Sequence, residues 1–438
     1  MFSEALRLSQ RGFRETEPGS SVHTSALAEY CTILIRLGSV EEAGRRLAPL
    51  LSSMEPSVLI ARFWYHFTRF EYSESIPLLE NWIATLQDPY LRIIAENNLA
   101  ESFFSVGRCS KARELITRTI KKSELQGYMR LFANGLHIRA RCSTELGDLK
   151  KSNQDLQRAL QTLKTTVTSD ASIFRRQLAI NEAIETSSVD PINKFRASAL
   201  RAGLWETLRE LDFQSLRIQF RDDVLQKLYF GTPYPAYRER ILKTFPNAVI
   251  HPEFTWGSRQ VPSLDLATGE LSEKTKKWFQ PSRLTLLTLR ALLQDHYRPL
   301  STREIFAALF PNEDFEPSRS DDRVHQCLAR TRRWLSEVKL PLKIELKESS
   351  YTLAHMDRPR IALKIPAELP PRLQARDAKS FVEVLRSHFT DDFSAQDART
   401  RLALSSATTI RRLTDAVSSG QLLRLGAGKR TTYRFAKV

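Results

Sequence analysis

Leu37-Gly38, Val106-Gly107 and Leu146-Gly147 are each followed, five positions after the glycine, by a small residue: Ala43, Ala112 and Ser152. Glycine reaches the left-handed backbone conformation that ends a helix and turns the chain back, because it has no Cβ to clash. A small residue early in the next helix then lets the two helices approach closely. Recurrence of both signals at one offset predicts a stack of helix hairpins, each burying its apolar side against the next. The glycines lie 69 and 40 positions apart (107 − 38 and 147 − 107), which fits two periods and one lengthened period of about 34 residues. Residues 61 to 86 are aromatic-rich and helical and fill the first gap as a degenerate copy. Leu200, Leu204, Leu208, Leu211 and Leu216 continue one apolar helix side, so the array is expected to occupy residues 1 to 225.

This arrangement resembles the tetratricopeptide repeat; an irregular helical bundle is the competing architecture. The resemblance implies a concave groove that binds a protein or peptide, or that supports a homo-oligomer. Asn97, Asn98 and Glu101 on one hairpin, with Arg139 on the next, are the candidate partner contacts. Beyond the array, Pro233 and Pro235 remove backbone donors and push the residue before each out of the helical region. Residues 226 to 280 therefore read as a linker with short strands near 248–250 and 264–270.

At the other end of the chain, residues 392 to 403 can form a short helix and 404 to 406 a turn. A second helix over 407 to 417 would expose Thr408, Thr409, Arg411 and Arg412. Ser418-Ser419-Gly420 stops it, and residues 422–425 and 431–435 alternate like paired strands around a basic tip, Gly426-Ala427-Gly428-Lys429-Arg430. A related pattern fills residues 281 to 360. An amphipathic helix spans 282 to 294, Ser301-Thr302-Arg303-Glu304 has the capping-box pattern, and an arginine-rich helix spans 321 to 338. Strands at 344–346 and 351–353 would close the unit as a hairpin. Leu286, Leu289, Leu292, Ile305, Leu309, Leu328, Leu335 and Tyr351 are its expected core.

The stretch from 361 to 438 resembles the winged-helix module of many bacterial transcription regulators, which lays its second helix in the major groove and its wing on the neighbouring backbone. That resemblance makes Thr408, Thr409, Arg411, Arg412, Lys429 and Arg430 candidate DNA contacts. The middle segment resembles the OmpR/PhoB-type effector domain, in which the third helix carries a pattern of the form I-x-R-x-R-K-x-L. By that resemblance Arg330 and Arg332 fall on DNA-facing positions, Arg333 on a phosphate-facing one and Lys347 on the wing. The chain departs from the family where the wing usually has glycines, offering Glu348 and Ser350 instead. Arginines on a solvated helix face are the alternative for each of these cations. The combination of parts is similar to an antibiotic-regulatory family, with the order of domains reversed.

Composition supports a polyanionic partner. The 438 residues carry a net charge of +16 and a pI near 9.8, and each cation that neutralises a phosphate releases counterions. Cys31, Cys109, Cys142 and Cys327 form no C-x-x-C pair, and the eight histidines are dispersed, so neither a metal site nor a cofactor is expected. No zinc-protease, Walker A or nucleophile-elbow pattern is present, so the chain is read as a non-enzyme. The first 15 residues mix acids and bases without an apolar run, which argues against a signal peptide and for a cytoplasmic protein with no membrane segment. The expectation is a mainly α fold, an N-terminal helical-hairpin superhelix followed by two winged-helix (α+β) domains. Its function would be transcription regulation on double-stranded DNA; an interaction scaffold whose winged helices bind protein is the alternative.

Overall fold

The helical array comprises α1 (Ser21–Arg36), α2 (Val40–Leu47), α3 (Pro56–Thr68), α4 (Tyr72–Thr85), α5 (Pro89–Ser105), α6 (Cys109–Leu125), α7 (Met129–Glu145), α8 (Leu149–Thr162), α9 (Asp170–Glu185), α10 (Asp190–Arg201), α11 (Trp205–Ile218), α12 (Asp222–Phe230) and α13 (Pro235–Thr244). The computed structural model describes residues 8, 12, 15–17, 20–165, 170–257, 262–272, 280–316, 319–356 and 361–367. In the C-terminal region it describes 381–382, 385–386, 388–389, 391–402, 406–418, 421–426, 428 and 431–436.

One left-handed residue closes each hairpin: Gly38 (φ 84°), Phe70 (63°), Gly107 (81°), Gly147 (82°) and Ser187 (50°). Their spacings are 32, 37, 40 and 40 (70 − 38, 107 − 70, 147 − 107, 187 − 147). The N–H of the next residue reaches back five positions in every case: Ser39 to Leu34 (2.9 Å), Glu71 to His66 (2.9 Å), Arg108 to Phe103 (2.8 Å), Asp148 to Ser143 (2.8 Å) and Ser188 to Ala183 (3.1 Å). This satisfies a carbonyl that the helix end would otherwise leave unpaired. Five positions after the left-handed residue stand Ala43, Ser75, Ala112, Ser152 and Ile192, all at 0% exposure. The degenerate copy expected between residues 61 and 86 is the α3–α4 hairpin, with Phe70 in the place that Gly38, Gly107 and Gly147 hold in theirs.

The expected boundary at residue 225 falls inside α12. Leu208, Phe213, Leu216, Leu225, Leu228, Tyr237 and Ile241 share one core, so the helices run on to Thr244. The segment read as a linker supplies β1 (Glu253–Trp256) and β2 (Ser263–Asp265), ahead of α14 (Arg283–Leu292), β3 (Leu300–Ser301), α15 (Thr302–Leu309), α16 (Ser320–Glu337), β4 (Leu342–Lys347), β5 (Ser350–His355) and β6 (Ala362–Pro366). β6 lies between β1, antiparallel, and β2, parallel, with Glu253 opposite Pro366 and Ser263 opposite Ala362. All eight expected core residues of the middle segment are buried.

These elements belong with the array to one unit, Met1–Glu368. Two joints hold them to it. At one, the Arg209 guanidinium donates to Asp295 (2.6 Å), both nearly inaccessible, while Asp212 accepts from the Tyr297 hydroxyl (2.6 Å) and from Lys227 (3.0 Å). Removing either partner of such a buried pair leaves a desolvated charge, so the joint specifies one arrangement even where its net stabilisation is small. At the other, Arg45 of α2 donates to the carbonyls of Pro311 (2.7 Å) and Glu313 (3.1 Å), and Arg45 and Arg46 both pair with Asp314.

The second unit, Leu369–Val438, contains β7 (Phe393–Ser394), α17 (Ala395–Leu402), α18 (Ser406–Ser418), β8 (Leu422–Leu425) and β9 (Thr432–Phe435). Phe381, Leu385, Phe393, Ala398, Leu413, Ala416, Leu422 and Tyr433 form its core.

Candidate nucleic-acid interface

Ser301 opens α15 with a reciprocal cap: its hydroxyl accepts the Glu304 N–H (3.4 Å) and the Glu304 carboxylate accepts the Ser301 N–H (2.9 Å). Ser394 and Asp397 repeat the device ahead of α17, at 3.2 and 2.9 Å. With aspartate in the place of glutamate, this second box departs from the S/T-x-x-E sequence pattern. In each case the short strand before the cap pairs with the second hairpin strand, giving the orders β3-β5-β4 and β7-β9-β8. The two segments thus share one plan. A short capped helix precedes a longer one, α16 or α18, and a hairpin follows.

α16 divides cleanly into two sides. Val324, Cys327, Leu328, Thr331, Trp334 and Leu335 are buried, whereas His325, Gln326, Ala329, Arg330 and Arg333 are exposed. Burial of one stripe and solvation of the other is the 3.6-residue period at work. Arg330 and Arg333 have no ion-pair partner among the described residues. Arg332 differs. Its Nη2 donates to the Ile344 carbonyl (3.0 Å) and its guanidinium stands 5.9 Å from the Tyr351 ring, so it also ties α16 to the hairpin. Gln326 shares the side of Arg330 and Arg333 at helical spacing, so the helical period, not charge, is the signal that marks it.

Lys347 is exposed at the end of β4. The next two residues, Glu348 (φ 50°) and Ser349 (φ 65°), both adopt left-handed backbone and form the two-residue turn of a tight hairpin. Neither turn residue is a glycine.

In the second unit Arg411 is exposed on α18, beside Ile410 (52%) and Thr414. Thr409 is not on that surface: at 1% exposure it lies with Leu413 and Ala416 on the buried side, where the helical period places it. Arg412 is half-buried with its guanidinium 5.5 Å from the Phe381 ring. The side chain of Thr408 and all of Lys429 and Arg430 lie outside the described residues. Arg434 on β9 forms a bidentate pair with Asp392 (2.7 Å twice) that holds the hairpin to the residue before β7.

Three of the four candidate partner contacts make bonds within the array. Asn97 is buried and donates weakly to the Leu131 carbonyl (3.4 Å), and Arg139 grips Asp155 with two bonds (2.7 and 2.8 Å). Glu101 accepts two bonds from Arg141 (2.5 and 2.6 Å), while Asn98 is half-buried on the same helix. Asn97 and Glu101 thereby brace α5 against α7 of the next hairpin, and Arg139 braces α7 against α8 within one hairpin. An accessible hollow lies elsewhere in the array. A cavity of about 640 Å³ is lined by Phe70, Tyr72, Phe104, Phe213, Tyr237 and Arg240, among others.

No protein-family model matches the chain, and no curated protein matches it. Among solved structures, the apo form of RapI is similar at 13% identity and a TM-score of 0.36, covering 56% of this chain and 92% of that one. BtubC (BKLC) from P. vanneervenii is similar at 15% identity and a TM-score of 0.29, covering 57% and 94%. The repeat character of the array rests on its own turns and spacings.

Proposed function

We propose that the protein is a DNA-binding transcription regulator in which two winged-helix modules contact duplex DNA through α16 and α18 while the helical array binds a protein or peptide partner. The observation that carries this reading is the exposed side of α16, where Gln326, Arg330 and Arg333 line up without ion-pair partners among the described residues. A helix anchored on one side and cationic on the other matches what a major groove and its phosphates accept. The net charge of +16 points the same way, and no described helix is long and apolar enough to cross a membrane. Such a role places the protein in the cytoplasm.

A second reading has its own support. Ile410 and Leu423, each about half exposed, sit on the second module where DNA would offer them little, and they suit a protein surface. The deciding experiment is titration of the full chain against labelled mixed-sequence duplex across a salt series. Regulation through DNA requires binding that weakens steeply with salt, and replacing Arg330 and Arg333 by alanine should lower the slope of log K against log salt by about two. Absence of binding at low salt would leave the scaffold reading standing.

A further inference from the structure

Surplus positive charge is gathered in two stretches of the chain. Residues 108 to 164 hold 13 lysines and arginines against 5 acids, and the second unit, 369 to 438, holds 13 against 6. The remaining residues hold 40 against 39, so half of the net charge of +16 belongs to α6, α7, α8 and the turns around them. All five acids of that stretch are engaged. Glu114 pairs with Arg118 (3.2 Å), Glu124 with Arg158, Glu145 with Arg217 (2.6 Å) and Asp155 with Arg139 (2.7 Å). Asp148 caps α8 by accepting the Lys151 N–H (2.9 Å). Arg108, Arg113, Lys121, Lys150 and Lys164 are exposed and have no ion-pair partner among the described residues.

Helical spacing gathers these cations into rows. Lys150, Gln154, Gln157, Gln161 and Lys164 follow one another at steps of 4, 3, 4 and 3 along α8 and the 3-10 turn that extends it, and all are exposed. Arg113 and Lys121 lie eight positions apart on one side of α6, in line with Glu124. The exposed pair of Glu124 with Arg158 joins that side of α6 to the α8 row, since Arg158 stands between Gln154 and Gln161 at helical spacing. None of the exposed residues of α8 is apolar. Protein interfaces are anchored by buried aromatic and apolar side chains, whereas lysine, arginine and glutamine contact phosphate oxygens. The α8 row is about 21 Å long, the advance of about six phosphates along one strand of a duplex.

We propose that the face of α6 and α8 marked by Arg113, Lys121, Lys150 and Lys164 binds the phosphate backbone of duplex DNA, through charge and without regard to sequence. The surface belongs to the array, not to the winged-helix modules, and stands or falls independently of α16 and α18.

The test measures binding of the full chain to a labelled mixed-sequence duplex over a salt series, with poly-L-glutamate as a second polyanion. One variant carries Arg113→Gln with Lys121→Gln, a second Lys150→Gln with Lys164→Gln, and a third all four. A control carries Lys121→Arg, Lys150→Arg and Lys164→Arg, and Arg330→Ala with Arg333→Ala reports separately on α16. The slope of log K against log salt should fall by about two in each double variant and by about three to four in the fourfold one, and stay at the wild-type value in the control. Tm should hardly move, because exposed substitutions cost little stability. A wild-type slope in the fourfold variant would overturn the surface, and a slope lowered only by the α16 substitutions would do so while leaving the winged-helix reading intact. A slope lowered only by the array substitutions would support the surface and remove α16 from the DNA contact. Loss of poly-glutamate binding with DNA binding unchanged would overturn the proposal in favour of an acidic protein partner. No binding of the wild-type chain to duplex at low salt would overturn it together with the DNA reading of α16.

Discussion

The Glu42 carboxylate accepts the backbone N–H of Phe315 at 3.0 Å, joining the second helix of the array to the loop before α16 across 273 residues of chain. Glu42 is 4% exposed, also accepts from Arg46 (3.1 Å), and has its pKa raised chiefly by burial. Glu42→Ala leaves a buried N–H without an acceptor and should cost about 1–3 kcal/mol. Glu42→Gln keeps an acceptor oxygen and should cost less. Thermal unfolding of both checks this; equal losses would mean that the charge matters and the backbone bond does not.

His296 should make the joint acid-sensitive. Its ring packs 5.2 Å from Phe254, and burial holds its pKa down to about 4 from an ordinary 6.5. Between those values the unfolded chain takes up a proton that the folded ring refuses, so stability falls as pH drops from 6.5 to 4. The loss amounts to at most about 3 kcal/mol. Denaturant unfolding at pH 7 and pH 5 should show a smaller decline in His296→Gln than in wild type, and parallel declines would refute the assignment.

The turn at Glu348 and Ser349 is strained for residues with side chains. Replacing the pair by Asn-Gly, which adopts this turn readily, should raise stability by about 1 kcal/mol. Loss of the Glu348 charge next to Lys347 should also tighten DNA binding at low salt if the hairpin tip lies near phosphates. An unchanged affinity together with a raised Tm would remove the hairpin from the contact surface.

Phe70 and Ser187 share a left-handed backbone but predict opposite outcomes. Relief of that backbone is worth about 1–2 kcal/mol, so Ser187→Gly should stabilise the fold. Phe70 packs against Tyr234 and Tyr237, with ring centres 4.9 Å apart in both cases. Loss of a packed phenyl costs about 3–5 kcal/mol, more than the relief, so Phe70→Gly should destabilise it. Tm values moving in the same direction would show that one of these terms is misjudged.

Those two residues also explain how far the fold was legible from sequence. Gly38, Gly107 and Gly147 announced hairpins because glycine is the usual residue for the turn. Phe70 and Ser187 occupy the same conformation through tertiary packing, which no local signal encodes. Ser75 and Ile192 therefore went unrecognised as counterparts of Ala43. The core of the middle segment was readable from helical periodicity, and the same periodicity would have placed Thr409 inside and Gln326 outside. What periodicity cannot supply is pairing across long stretches of chain: Asp155 with Arg139, or Asp295 with Arg209, is invisible until the helices are stacked. β6 was hidden for a similar reason, since its partners precede it by about a hundred residues.

The pairing of Glu253 with Pro366 brings the beginning and end of the intervening segment to within one strand spacing, about 5 Å. The chain leaves the array, builds a complete helix-and-hairpin unit and returns almost to its point of departure, in the manner of a cassette spliced into a host protein. A segment entered and left through one doorway can be lengthened, shortened or exchanged without re-routing what flanks it.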